Sequence, residues 1–204
     1  MSIRAFIFDL GGVINRTVDR GPREKLAEQA GLSYEELSTL VFDTKTAIQA
    51  TLGEVTTNEH WESVRSLLNL PAVEIAEVSH YFWGGDQIDL ELVEFIRSLR
   101  PHYKTGLLSN AWDDLRYFLE NEWKIADAFD EIMISAEVGV AKPDPRIYQI
   151  TLDRLGVEPQ DAIFVDDFPA NVEAASRVGM HAIRFHSTSQ TLQDLRALLN
   201  SKPV

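Results

Sequence analysis

The chain contains no cysteine, which excludes disulfides, thiolate metal centres and thiol nucleophiles together. Positive charge is scarce as well. Its 19 lysines and arginines stand against 32 aspartates and glutamates, a formal charge of −13. A surface of that sign repels phosphate backbones, so nucleic acid is not an expected partner. It also sets a local problem for any small anionic ligand, whose site must reverse the field with a bound cation or a few placed donors. Long apolar runs are missing. The opening MSIRAFIFDLGG meets an aspartate early and lacks the pattern of a signal sequence, so no membrane is expected and a cytoplasmic protein is. The five histidines, His60, His80, His102, His181 and His186, are never paired at ligand spacing, which speaks against a histidine metal site.

What remains is ordinary globular composition. The 204 residues are 45% hydrophobic and 25% charged, enough for one full core and a modest insertion. Five short aliphatic and aromatic runs predict buried strands at Ile3–Phe8, Lys104–Leu108, Glu131–Ile134, Ala162–Val165 and His181–Phe185. Helical periods separate the later ones, as at Pro145–Leu155, at Trp112–Glu122 and between Pro169 and Gly179. Strands alternating with helices predict an α/β fold with a mainly parallel sheet covered on both faces.

Residues 16–85 break the alternation. No strand is predicted there, and helix starts are marked by Ser33 with Glu36 and by Thr56 with Glu59, both at capping-box spacing. Leu37, Leu40, Val41, Ala47 and Ile48 form one predicted apolar face, and Trp61, Val64, Leu67 and Leu68 another. These faces predict an inserted helical bundle resting as a lid on the carboxyl ends of the sheet, where open α/β folds bind ligands.

Four strand tips carry the chemistry. Asp9 ends the apolar run Ala5-Phe6-Ile7-Phe8 and is followed by Gly11 and Gly12, where main-chain groups can approach a ligand closely. Alone, Asp9-Leu10-Gly11-Gly12 fits a turn-capping aspartate better than a catalytic one. Ser109 and Asn110 end the second run with neutral donors of the kind that hold phosphoryl oxygens, or cap a helix. Lys142 stands just before a helix fixed by Pro143 and Pro145, and alone would read as a surface lysine. Asp166 and Asp167 follow the apolar Ile163-Phe164-Val165, where two adjacent carboxylates repel each other unless a cation meets them. With Asp9 they make an oxygen-rich set suited to Mg²⁺.

In that order, Asp9, Ser109, Lys142 and Asp166-Asp167, the chain resembles the haloacid dehalogenase-like superfamily of aspartyl-phosphate hydrolases over nearly its whole length. The stretches from Leu107 to Asp114, Val138 to Tyr148 and Phe164 to Asn171 are most similar to the phosphatase domain that accompanies soluble epoxide hydrolase and to bacterial sugar-phosphate phosphatases. The resemblance implies a Rossmann-like core of residues 1–15 and 86–204, core-strand order 3-2-1-4-5, and a helical cap at 16–85. It implies Mg²⁺-dependent hydrolysis of a small phosphorylated molecule, with Asp9 as nucleophile. The implied metal ligands are Asp9, the Gly11 carbonyl, Asp167 and Asp166, the last direct or through a water. Ser109, Asn110 and Lys142 would bind phosphate. Asn171 would orient Lys142 or a metal-bound water, and the cap loop at Gly53-Glu54 would read substrate.

One departure stands out. Relatives usually carry an acid/base aspartate two residues after the nucleophile, and here that position is Gly11. Losing such help costs about 10²–10⁴ in rate. The leaving group then needs little protonation, or Glu54 or His60 of the cap supplies the proton, or the chain binds phosphate ligands with weak turnover. Metal-independent haloacid dehalogenation also dispenses with the second aspartate, but the adjacent Asp166-Asp167 argue against it.

Overall fold

The structure is a computed structural model and describes residues 3–70 and 75–200. Strand β1, Ala5–Phe8, is buried at all four positions. Burying an aromatic or large aliphatic side chain contributes on the order of 2 kcal/mol, so this strand tolerates a carboxylate only at its tip. It is the middle of a five-stranded sheet with β4 (Lys104–Ser109), β5 (Glu131–Ile134), β6 (Ala162–Asp166) and β7 (His181–Arg184), in the order β5-β4-β1-β6-β7. Every pairing is parallel. Counting these five alone, the order is the 3-2-1-4-5 that the resemblance implies.

Strand alternation divides the core in two. Phe6, Phe8, Leu107, Ile163 and Val165 pack on one face with α6 (Leu90–Leu99) and α11 (Thr188–Asn200). Ala5, Ile7, Leu108 and Phe164 pack on the other with α9 (Pro145–Leu155) and α10 (Pro169–Val178). Gly156 and Gly179 close these last two helices in left-handed conformations.

The insertion is helical, with α1 (Gly21–Gln29), α2 (Tyr34–Phe42), α3 (Lys45–Thr51), α4 (Thr57–Leu67) and α5 (Ile75–Trp83). Both capping boxes form, Ser33 with Glu36 and Thr56 with Glu59. The two apolar faces are only partly as expected. Leu37, Val41, Ala47, Trp61, Val64 and Leu68 are buried, whereas Ile48 and Leu67 are exposed. The helix stops at Phe42 and restarts at Lys45, which resets the helical phase before Ile48, and Leu67 lies off the stripe that Trp61, Val64 and Leu68 define.

A strand is present where none was expected. Strand β2, Asn15–Thr17, pairs antiparallel with β3, Asp86–Ile88, and this ribbon joins the insertion to the sheet. Three residues carry too little alternation to be read from sequence. Arg16 pairs with Asp89 across the ribbon's base, and the buried Arg23 on α1 holds Asp86 at 2.8 Å. The expected helix over Trp112–Glu122 also differs. Only Leu115–Tyr117, α7, is α-helical, and it widens into a π-helix at Phe118–Glu122. A short α8 follows β5 at Ser135–Val138.

Candidate active site

The carboxyl ends of β1, β4 and β6 bring together the residues that the strand-tip reading singled out. Asp9 follows β1, Ser109 ends β4, and Asp166 ends β6 with Asp167 next to it. Lys142 arrives from the loop before α9, and its side chain is almost wholly buried. Its ammonium donates to Asp9 Oδ1 at 2.6 Å, to Asp166 Oδ2 at 2.8 Å and to the Leu108 carbonyl at 2.8 Å. Those three acceptors account for all three N–H donors of a lysine. The Leu108 carbonyl has no signature in the sequence, since any residue supplies one.

Asp166 is held from several sides. Its Oδ1 accepts from the Phe168 N–H at 2.8 Å, and Asn171 Nδ2 reaches both carboxylate oxygens, at 3.2 and 3.1 Å. Asn171 and Lys142 thus share Asp166 as acceptor, and among the described residues no hydrogen bond joins the Asn171 and Lys142 side chains directly. Beneath it the buried Tyr148 hydroxyl donates to the Asn171 carbonyl at 3.0 Å. Asn110 turns its amide to the main chain of Lys142, donating to its carbonyl and accepting from its N–H, each at 2.8 Å.

Charge is concentrated here, with Asp9, Lys142 and Asp166 buried and Asp167 half-buried. Burial pushes the Asp9 carboxyl up to about 6, with Lys142 opposing the shift and Asp166 adding to it. Asp167 is raised too, by burial first and by Asp166 second. Carboxylate oxygens of Asp9, Asp166 and Asp167 lie within 4.8 Å of one another. Three hard oxygen donors without histidine or cysteine suit a hard divalent cation. The backbone is shaped to the same end. Gly12 has φ +78°, and a Cβ there would fall 2.3 Å from Asp167 Oδ2, so only glycine lets that carboxylate turn inward.

Gly11 is different. A Cβ at Gly11 would meet nothing within 4 Å. No conformational requirement therefore explains why this position lacks a side chain.

The helical insertion meets the sheet at the same end. Gly53, with φ +71°, packs so closely on the Ala136 carbonyl that a Cβ would lie 2.1 Å from it. Glu54 beside it is exposed. His60 is wholly buried inside the insertion. Its Nε2 faces the Val41 carbonyl and its Nδ1 the Thr46 hydroxyl, each at 3.0 Å, and burial pulls its pKa down. Both ring nitrogens are engaged away from Asp9, which removes His60 as the substitute acid. Sequence reasoning missed the joint between the two parts. Trp112, from the loop after β4, sits in the insertion's apolar cluster, its ring 4.6 Å from His60 and 5.7 Å from Trp61. Next to it Asp113 accepts from the Thr57 N–H at 2.9 Å and from its hydroxyl at 2.5 Å, at the start of α4.

The chain is similar to several known proteins. A sesquiterpene phosphatase of Aspergillus oryzae, astK, is 29% identical over 206 residues, covering 97% of each chain. A D-ribitol-5-phosphate phosphatase of Bacteroides thetaiotaomicron is 25% identical over 209 residues, covering 98% of this chain and 100% of the other. Mouse bifunctional epoxide hydrolase 2 is 25% identical over 221 residues, and the match takes in 99% of this chain but 40% of that protein's length. Among solved structures, a predicted HAD-like hydrolase from Porphyromonas gingivalis superposes with TM-score 0.83 at 23% identity, covering 99% and 100% of the two chains. A Bacteroides thetaiotaomicron HAD enzyme in complex with magnesium and inorganic phosphate gives TM-score 0.77 at 22% identity, covering 93% and 98%. The model of one hydrolase family matches residues 3–179. With the strand order and the converging carboxylates, that match settles the family: the chain belongs to the haloacid dehalogenase-like hydrolases.

Proposed function

We propose that the chain hydrolyses a small phosphomonoester, in a Mg²⁺-dependent reaction that passes through an aspartyl-phosphate on Asp9. The observation that carries this reading is the meeting of three carboxylates and one buried ammonium at the tips of three parallel strands. Phosphatase relatives of similar length support it. Residues 16–85 are read as the cap, and 1–15 with 86–204 as the catalytic core.

Asp9 attacks phosphorus in line. The new Asp9–phosphorus bond forms as the ester oxygen leaves with its electron pair, and water then attacks phosphorus to regenerate the carboxylate and release phosphate. Asp9, Asp167 and the Gly11 carbonyl would hold Mg²⁺. Both oxygens of Asp166 already accept hydrogen bonds, so a share in the ion through a water suits it. Bound metal supplies the positive charge that lets an anionic nucleophile and an anionic phosphate approach. Lys142 spends its N–H groups inside the protein and neutralises Asp9 and Asp166, leaving the Ser109 hydroxyl and main-chain N–H groups to hold phosphoryl oxygens. Gly53-Glu54 faces the core from the cap and is read as the substrate-reading loop.

The empty space beside Gly11 bears on the substrate. Without an acid two residues after the nucleophile, an anomeric sugar phosphate or an acyl phosphate is favoured over a simple alkyl ester, because its leaving oxygen needs little protonation. A panel of phosphorylated metabolites, assayed with Mg²⁺ and with chelator, tests the proposal. Phosphate release that needs metal and vanishes in Asp9→Asn is expected. Undiminished release under chelator would remove the metal from the account, and metal-independent halide release from 2-chloropropionate would favour a dehalogenase.

A further inference from the structure

We propose that Asn110 is a positioning residue for Lys142, whose carboxamide grips the lysine's main chain on both sides and thereby sets where the ammonium stands between Asp9 and Asp166. The inference rests on the phosphatase reading above, and it assigns Asn110 a role other than phosphate binding.

Lysine has a four-carbon stem with several rotatable bonds, and such a side chain holds one position only when its base is fixed and its head is fully bonded. The head meets Asp9, Asp166 and the Leu108 carbonyl. At the base, the N–H and C=O of Lys142 are buried main-chain groups that need partners. Asn110 supplies both, at 2.8 Å each, and among the described residues no other group bonds to either. One side chain just beyond the end of β4 thus pairs with the peptide groups on either side of the Lys142 Cα. Since β4 also contributes the Leu108 carbonyl, one strand end fixes both the base and the head of the lysine. With all three ammonium donors committed, the lysine's contribution lies in where its charge stands, and a shift at its base is carried to Nζ.

A phosphate ligand and a positioning residue give different mutant behaviour. Asn110→Ala is expected to lower kcat about 10–10²-fold while KM, and the Ki of inorganic phosphate, change less than about twofold. The decisive measurement is a double-mutant cycle with Lys142→Met, reading single-turnover rate on an aryl phosphate and calorimetric affinity for inorganic phosphate in the presence of Mg²⁺. If Asn110 acts through Lys142, any effect of Asn110→Ala disappears in the Lys142→Met background. The same fold loss in both backgrounds overturns the proposal, and so does an Asn110→Ala variant that matches the unaltered chain. Should Asn110→Ala fail to melt cooperatively, Asn110→Asp, which still accepts from the Lys142 N–H, replaces it in the cycle. Turnover by the unaltered chain separately controls the phosphatase reading, and the affinity arm tests Asn110 without it.

Discussion

Burial holds the Asp9 carboxyl protonated up to about pH 6, well above the usual 3.8, although an ammonium lies 2.6 Å away. Ionising Asp9 is therefore unfavourable in the metal-free fold. Because the folded pKa is the higher one, the destabilisation is absent below about pH 4, grows as pH rises and is complete above about 6. In the absence of metal, Asp9→Asn should melt higher than the unaltered chain at pH 7.5, by on the order of 3 kcal/mol, with the gap closing toward pH 4. Thermal melts across that range check it, and a variant less stable at every pH would contradict it. Gly11 supplies the second residue-scale prediction. The space beside it accepts a side chain, so Gly11→Asp should raise turnover of alkyl phosphates by up to about 10²-fold and aryl phosphates much less. Equal gains for both, or none, would show that protonation of the leaving group does not limit the reaction.

At the scale of elements, the loop after β4 does two jobs. Ser109 ends the strand among the carboxylate-bearing tips and Asn110 holds the main chain of Lys142, while Trp112 and Asp113 anchor the helical insertion. Asp113→Ala removes an acceptor from the first turn of α4 and should cost about 1 kcal/mol. Trp112→Ala empties a buried ring position and should cost about 3–5 kcal/mol. Hydrogen exchange should then rise in α4 before it rises in β1, and equal protection of α4 in all three proteins would tell against the anchor. The strands were legible because Phe6, Ile7, Phe164 and Val165 lie in runs apolar on both faces, and the site was legible because charges ending such runs have no packing role. The capping boxes were local and could be read. Strand β2 was too short to show a period, and the phase break before Ile48 hid that residue's exposure. The contacts of Asn110 with Lys142 and of Asp113 with Thr57 join segments distant in sequence, which spacing does not encode.

For the whole molecule, two halves of a core around the sheet and a third apolar cluster in the insertion are tied by the β2–β3 ribbon, its ion pairs and Trp112. One cooperative unfolding transition is expected. Three of the four tryptophans, Trp61, Trp83 and Trp112, belong to the insertion's cluster and Trp123 packs on the sheet core, so in a Trp123→Phe background tryptophan fluorescence follows the insertion while far-UV dichroism follows the entire chain. Coincident denaturant midpoints are predicted, and separated ones would show that the insertion unfolds alone. No helix among the described residues is long and apolar enough to cross a membrane. In the proposed reaction a phosphate anion meets a chain of formal charge −13, and Lys142 with a cation held by the three carboxylates would reverse the field at the strand tips. The most direct test is acid quenching during turnover of the best substrate from the panel, followed by mass spectrometry of the peptide that contains Asp9. A phosphoryl group on Asp9, present with Mg²⁺ and absent with chelator, is the predicted result. Sustained phosphate release from a peptide that never carries one would contradict the account.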